Sequence, residues 1–534
     1  MRHHGTPYSI RQALQKCYLE YTRPRPSTLA QRRAFHDYFV THLPSTSLSP
    51  DKSGPSHHKL PRSQSKPHEG PSPRSSQLPS TAPSRETTVV RIPLKSAKHH
   101  FGAGVSRGSR PYNEDTYQAG TVEIPAFAKK QPVSISGKRD ISQGIASTRD
   151  TGDPQVFYFA VFDGHGGSEC SEFLRDRLHG YIEEAALLFG MESTLRKEDG
   201  QDVYYSDGGI MGEQDPEDLQ KSLVSSWKET VGGYFKRFKP EYFPAVSGEG
   251  EASASNNSSI ETVLTYAFLK ADLDFTTAQA AKHSKDAGSQ EATLRERLSS
   301  MNDPVMDDRS SPDLDEAIGG STRFKGGSTA SVALVSTPTP TPFWHPNSPC
   351  TLIAAHVGDT RILLCRTSDG AAVPITANHH PSMPTEASRL RRYAASFVTD
   401  SFGEERVLGL ANTRAFGDIG SKRIGVSAEP QLTTVEIPPA GYAFIVLVSD
   451  GVSGHLEDQE IVDIVKEAKT PDQASKDLVS FAVETAGDAD NATALVVRLG
   501  GWERRNEGGG GSLGTKEQRD YRKREADDPR ARRQ

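Results

Sequence analysis

Cysteine is scarce in this chain: four residues in 534, Cys17, Cys170, Cys350 and Cys365, with no pair at C-x-x-C spacing. That excludes a disulfide framework and a cysteine-based zinc site, and it fits a reducing compartment. No uninterrupted apolar run of about 18 residues occurs, so no transmembrane helix is expected. No secretory apolar region follows Met1. Apolar residues make up only 34% of the chain, whereas Pro, Gly and Ser are plentiful. This balance points to one sizeable core with long unstructured additions. There is no internal repeat at solenoid spacing.

Charge is unevenly spread. The first 100 residues hold 16 Lys and Arg against 5 Asp and Glu, while the whole chain has a net charge of -6. A basic leader therefore precedes an acidic body. The leader suits an address or an anionic partner; the acidic body argues against nucleic acid as a partner.

Residues 1–43 place Ile10, Leu14, Cys17, Tyr18 and Tyr21 at helical spacing with basic residues around them. A basic amphipathic leader of this kind resembles a mitochondrial presequence, the alternative being a cytoplasmic or nuclear protein with a short docked helix. Residues 44–88 are rich in Pro, Ser and His without periodicity and read as a disordered linker. The histidine pairs, His379-His380 and His99-His100 among them, lack partners at ligand spacing and read as solvated. The folded body is expected over 89–499, with polar insertions near 129–153 and 283–320. Residues 500–534 read as a disordered tail.

Within the body, strands are predicted at Phe157 to Phe162, Ser331 to Val335, Leu352 to Val357, Arg361 to Cys365, Phe444 to Val448 and Thr493 to Arg498. Helices are predicted after Asp215-Pro216, after the capping-box pattern Ser258-Ser259-Ile260-Glu261, and over Asp458 to Ala468 and Asp472 to Thr485. Their apolar stripes are core-packing faces.

The chemistry-bearing residues sit at the ends of these strands. Asp163 and Asp450 each follow an apolar strand and precede a Gly; Asp490-Asn491 precedes a third strand. One Asp-Gly is an ordinary turn. Three carboxylates at buried strand tips would repel one another unless a cation lay between them. All-oxygen ligands favour Mg²⁺ or Mn²⁺. Glu114 and Asp115 could reach such ions through waters, and the Arg110 fork suits a phosphate. Asp359 is either a further ligand or a turn residue. Arg414-Ala415-Phe416-Gly417-Asp418 reads as a structural junction.

In order along the chain, Arg110-x-x-x-Glu114-Asp115, Asp163-Gly164-His165-Gly166-Gly167, Gly327-Ser328-Thr329-Ala330, Gly358-Asp359-x-Arg361, Arg414-Ala415-Phe416-Gly417-Asp418, Ser449-Asp450-Gly451 and Asp490-Asn491 resemble the protein phosphatase 2C (PPM) family of metal-dependent protein serine/threonine phosphatases. Each motif alone is weak; the ordered set is specific. The leader and insertions resemble its fungal mitochondrial branch. The resemblance implies an α+β fold, a β-sandwich of two antiparallel sheets flanked by helices (α-β-β-α). It implies two Mg²⁺ or Mn²⁺ ions held by Asp163, the Gly164 carbonyl, Asp450, Asp490 and, through water, Glu114. A hydroxide between the ions would attack the phosphorus of a phosphoserine or phosphothreonine protein, with Arg110 holding the phosphoryl oxygens and His165 protonating the leaving oxygen. Gly454 stands where many members carry an acid that, with Asp359, binds a third ion, which argues against that ion here. The competing readings are a catalytically silent phosphatase-like binding module and a hydrolase of another phosphoester. Retention of Asp163, Asp450 and Asp490 favours the enzyme.

Overall fold

The run Val156–Phe162 is apolar at every position, so as a strand it buries both faces. In the computed structural model it does: Phe157, Phe159 and Val161 point into one core, and Tyr158, Ala160 and Phe162 into another. The model describes residues 35–44, 87–129, 153–195, 215–247, 259–282, 318–320, 322–391, 397–399, 405–407, 410–505 and 511–528. The predicted leader helix, most of the linker and most of both insertions lie outside the described residues.

Strands β1 (Tyr38–Pro44) and β2 (Thr87–Pro93) form a two-stranded ribbon. They are followed by β3 (Phe101–Ser106), β4 (Thr116–Val122) and β5 (Val156–His165). Helices α1 (Glu169–Leu188), α2 (Pro216–Thr230) and α3 (Ile260–Ala280) come next. Then come β6 (Gly327–Ser336), β7 (Cys350–Val357), β8 (Arg361–Arg366), β9 (Ala372–Pro374) and α4 (Pro384–Arg391). The chain continues through β10 (Phe416–Gly417), β11 (Gln431–Ile437), β12 (Tyr442–Val448), α5 (Asp450–Ser453), α6 (Asp458–Glu467), α7 (Pro471–Thr485), β13 (Ala492–Arg498) and α8 (Gly511–Asp527).

Among the described residues the main strands build two antiparallel sheets. One has six strands, ordered β11-β7-β6-β5-β4 with β10 on β6; the other has five, ordered β3-β13-β12-β8-β9. Their facing sides pack Phe157, Phe159 and Val161 against Ile445, Leu447, Leu495 and Val497. On the outside of the first sheet lie Leu174, Leu178 and Ile182 of α1 with Phe268 of α3. On the outside of the second lie Ile461 and Val465 of α6 with Leu478 and Ala482 of α7. The result is the expected α-β-β-α order, and the six predicted strands fall on observed ones.

Register brings the strand tips to one end. Val448 of β12 pairs with Arg361 of β8, so Asp450 and Asp359 extend from neighbouring strands. The chain passes from β7 in one sheet to β8 in the other through Gly358–Asp359–Thr360. Asp163 lies near the end of β5, opposite Thr329.

Two boundaries differ from expectation. Residues 38–44, assigned to the leader and linker, pair with 87–93 as part of the fold, and Phe39 is buried in the inter-sheet core. Phe35 packs edge-on against Tyr158 and His179, and the His36 carbonyl accepts the Thr121 amide. The mixed-charge tail forms α8, because its polar residues have partners on α6. Thr515 Oγ1 donates to Asp463 Oδ2 at 2.6 Å and Arg519 pairs with Glu467 at 2.7 Å. Charge patterning that reads as solvated sequence is here a docking surface.

Candidate metal centre

Carboxylate oxygens of Asp163, Asp359 and Asp450 lie within 4.8 Å of one another at the open end of the sandwich. Asp163 Oδ2 also accepts the backbone N–H of Asp450 at 3.2 Å, tying the two sheets together at their tips. Asp115 stands beside them. Its Oδ2 accepts the Ser449 hydroxyl at 2.7 Å, while its buried Oδ1 has no hydrogen-bond partner among the described residues.

These groups raise one another's pKa values. Burial, then the charges of Asp450, Asp115 and Asp359, hold the Asp163 carboxyl well above the usual carboxylate range. Burial followed by the Asp450 charge pushes Asp359 up to about 6. Burial also pushes Asp450 and Asp115 up to about 6 against the help of their hydrogen bonds. Such a cluster is uncomfortable without positive charge between its members. Its donors are all oxygen, and one buried oxygen is orphaned, so the residues fit a hard divalent cation.

Around this centre, Asn491 organises the loop before β4. Its Oδ1 accepts the Glu114 amide at 2.7 Å, and its Nδ2 donates to the carbonyls of Arg107 and Tyr112, each at 3.0 Å. Glu114 Oε1 accepts the Gly167 amide at 2.6 Å, which joins that loop to the Gly-rich turn after β5. Gly167 has φ 125°, a conformation that disfavours a side chain. A Cβ on Gly164 would come within 2.5 Å of the Glu114 carbonyl. Arg110 lies at the rim, its Nη2 2.6 Å from Asp490 Oδ2. Asp490 therefore faces the arginine and lies outside the group formed by Asp163, Asp359 and Asp450.

His165 Nε2 lies 3.0 Å from both carboxylate oxygens of Asp418. Burial disfavours the charged ring, but the hydrogen bond and charge of Asp418 outweigh it, and the pKa is raised. The junction read as purely structural thus supplies the partner of the imidazole. Its Gly-Asp ending was the available signal. Two histidines expected to be solvated are not. His379 is 4% exposed and its Nδ1 accepts the Gly358 amide. His100 stacks on Trp344 at 4.7 Å, and burial brings its pKa down to about 4.

A two-sheet sandwich with clustered carboxylates at one end and an arginine and a histidine at its rim defines a metal-dependent phosphohydrolase. Sequence comparison with known proteins agrees. The family model described as Protein phosphatase 2C matches residues 253–491. Protein phosphatase 2C homolog 4 of Schizosaccharomyces pombe is 31% identical over 417 residues, 78% of this chain and 84% of that protein. Protein phosphatase 1K, mitochondrial, of Xenopus laevis is 37% identical over 152 residues, 28% of this chain and 40% of that protein. A crystal structure of serine-threonine phosphatase 2C from Toxoplasma gondii aligns with a TM-score of 0.42 at 16% identity, covering 75% of this chain and 94% of that one. The chain belongs to the protein phosphatase 2C family, and is a metal-dependent protein serine/threonine phosphatase.

Proposed function

We propose that the enzyme uses Mg²⁺ or Mn²⁺, two ions in the active site, to hydrolyse phosphoserine and phosphothreonine in proteins. The grouping of Asp163, Asp359 and Asp450 within 4.8 Å carries this reading. Asp163, the Gly164 carbonyl and Asp450 would hold the ions, with Asp490, Glu114 and Asp115 close by for direct or water-mediated contact. When bound, such cations supply a nucleophile from water near neutral pH and counter-charge for the phosphoryl group.

The chain's own groups do the rest. Arg110 is half-exposed and needs only to leave Asp490 to present two parallel N–H donors to phosphoryl oxygens. His165 gives a proton to the departing seryl or threonyl oxygen, which would otherwise leave as a strongly basic alkoxide. Asp418 favours the charged imidazole and orients it for that transfer. Below about pH 6 protons compete with a cation for these carboxylates, so cation affinity should rise with pH.

We further propose a mitochondrial location, supported by the basic leader and by the mitochondrial relative. No helix among the described residues is long and apolar enough to cross a membrane.

Phosphate release from a phosphoserine or phosphothreonine peptide tests the proposal. Mn²⁺ should restore turnover to EDTA-treated protein, and Asp163→Asn should abolish it. Turnover by wild type with saturating Mn²⁺ no faster than that variant would overturn the reading.

A further inference from the structure

The turn that carries Asp359 does not hold itself in place. Gly358 has φ 106°, and a Cβ there would overlap the side chain of Thr329. The buried peptide groups of Gly358 find both partners on His379. The Gly358 amide donates to His379 Nδ1 at 3.0 Å. The His379 amide donates to the Gly358 carbonyl at 2.8 Å.

His379 is fixed from the other sides as well. Its ring stacks on His356, with centroids 4.8 Å apart. His356 is itself held by Ser331 at 2.9 Å and the Ala377 carbonyl at 3.1 Å. The His379 carbonyl accepts from the Thr413 amide at 2.8 Å and hydroxyl at 2.9 Å. Because Nδ1 is the acceptor, the ring proton sits on Nε2. A clamped ring thus aims one acceptor atom at the amide next to Asp359, and the chemistry described so far gives it no other task.

We infer that His379 is a positioning residue for the cation site: it sets the Gly358–Asp359 turn so that the Asp359 carboxylate joins those of Asp163 and Asp450, a role that rests on reading this group as a cation site. Substituents one shell out from a ligand commonly change metal affinity on the order of 10- to 100-fold. Asn412 also hydrogen-bonds the Asp359 carboxylate, but the turn itself is a short peptide with a glycine, so without the clasp its backbone has more directions available and the grouped arrangement becomes one of several.

The test is Mn²⁺ binding to the full chain, followed by calorimetry and by electron paramagnetic resonance of the free ion. His379→Phe keeps the stacked ring and removes the acceptor. It should weaken, on the order of 10-fold or more, the same binding step that Asp359→Asn weakens. His379→Asn, whose Oδ1 can take the place of Nδ1, should recover most of that affinity. In an Asp359→Asn background, His379→Phe should have no further effect. Should His379→Phe fail to fold, His379→Gln, which stays neutral and polar but displaces the acceptor, should show the same loss. A wild-type isotherm for the folded Phe variant, or for Gln in its place, overturns the inference, as does a full effect that persists without the Asp359 carboxylate. Absence of Mn²⁺ binding by the wild type would overturn the cation site itself. Binding by the wild type with no response to His379 removes only the positioning role.

Discussion

Lys422 Nζ lies 2.5 Å from Asp272 Oδ2, and neither side chain is exposed at all. The pair sits beneath the strand end that leads to Asp418. Lys422 also donates to the Ala415 carbonyl at 2.7 Å, and Asp272 Oδ1 accepts the Gly417 amide at 2.9 Å. Two buried charges thereby satisfy the backbone just before Asp418, a residue held at φ 45° although it is not glycine. The pair fixes the conformation that aims Asp418 at His165.

Removing one member should therefore cost more than removing both. Lys422→Met leaves the Asp272 carboxylate buried and unpaired, and a loss of about 3–5 kcal/mol is expected. The double variant with Asp272→Leu should recover part of it. Urea unfolding of Lys422→Met, Asp272→Leu and the double variant checks the order; a single variant as stable as the double would contradict it.

The carboxylate cluster predicts a pH dependence for the protein in EDTA. Asp450 is pushed up to about 6 from 3.8. Its protonated form is favoured by folding, so its contribution is fully present below the unfolded value and lost as pH rises through the folded one. Asp450→Asn removes that loss. In EDTA the variant should match the wild type near the acid end and gain on it as pH rises from about 4 to about 7. Added Mn²⁺ should reverse the ranking, because only the wild type gains the full binding energy. Thermal unfolding across that range is the measurement.

The role of His165 predicts a dependence on the leaving group. His165→Ala should slow release from a phosphoserine peptide by about 10²–10⁴-fold, the usual scale of general acid catalysis. A nitrophenyl phosphate, whose leaving oxygen needs no proton, should be affected far less. Asp418→Asn should show the same pattern with smaller amplitude. Equal losses on both substrates would assign His165 to binding or structure instead.

The N-terminal ribbon sets where the chain can be shortened. Deleting residues 1–34 spares every described contact. Deleting residues 1–44 removes Phe35, which packs on Tyr158, and the buried Phe39. Loss of one such ring costs about 3–5 kcal/mol. The longer deletion should therefore lower the unfolding temperature below that of the shorter one. The shorter deletion is also the proper probe of location: an unchanged distribution in cells would remove the presequence reading.

Elements differ in how clearly the sequence shows them. Strands β5 and β12 bury both faces and show unbroken apolar runs. Helix α1 has no clear periodicity in the sequence. Its charged residues Glu172, Arg175, Asp176, Glu183 and Glu184 surround the wheel, and its buried face takes in His179 and Glu183. Strands β3, β4 and β11 leave little trace in the sequence for a related reason. They mix Gly, Thr and Gln into partly exposed edges, where no period survives. The sequence does not show the burial of His379, because burial of a polar side chain depends on partners distant in the chain, here Gly358 and Thr413.

The sequence alone determined the set of acids, the arginine and the histidine, their order, and the apolar strands that end on them, because strand periodicity and Asp-Gly endings are local properties. Only the tertiary structure decided which acids meet. Asp359 joined Asp163 and Asp450 because β7 and β8 lie in different sheets and the turn between them crosses the open end. Asp490 met Arg110 instead, and Asp418 met His165 across 253 residues of chain. Such meetings depend on sheet register, which no short stretch of sequence encodes.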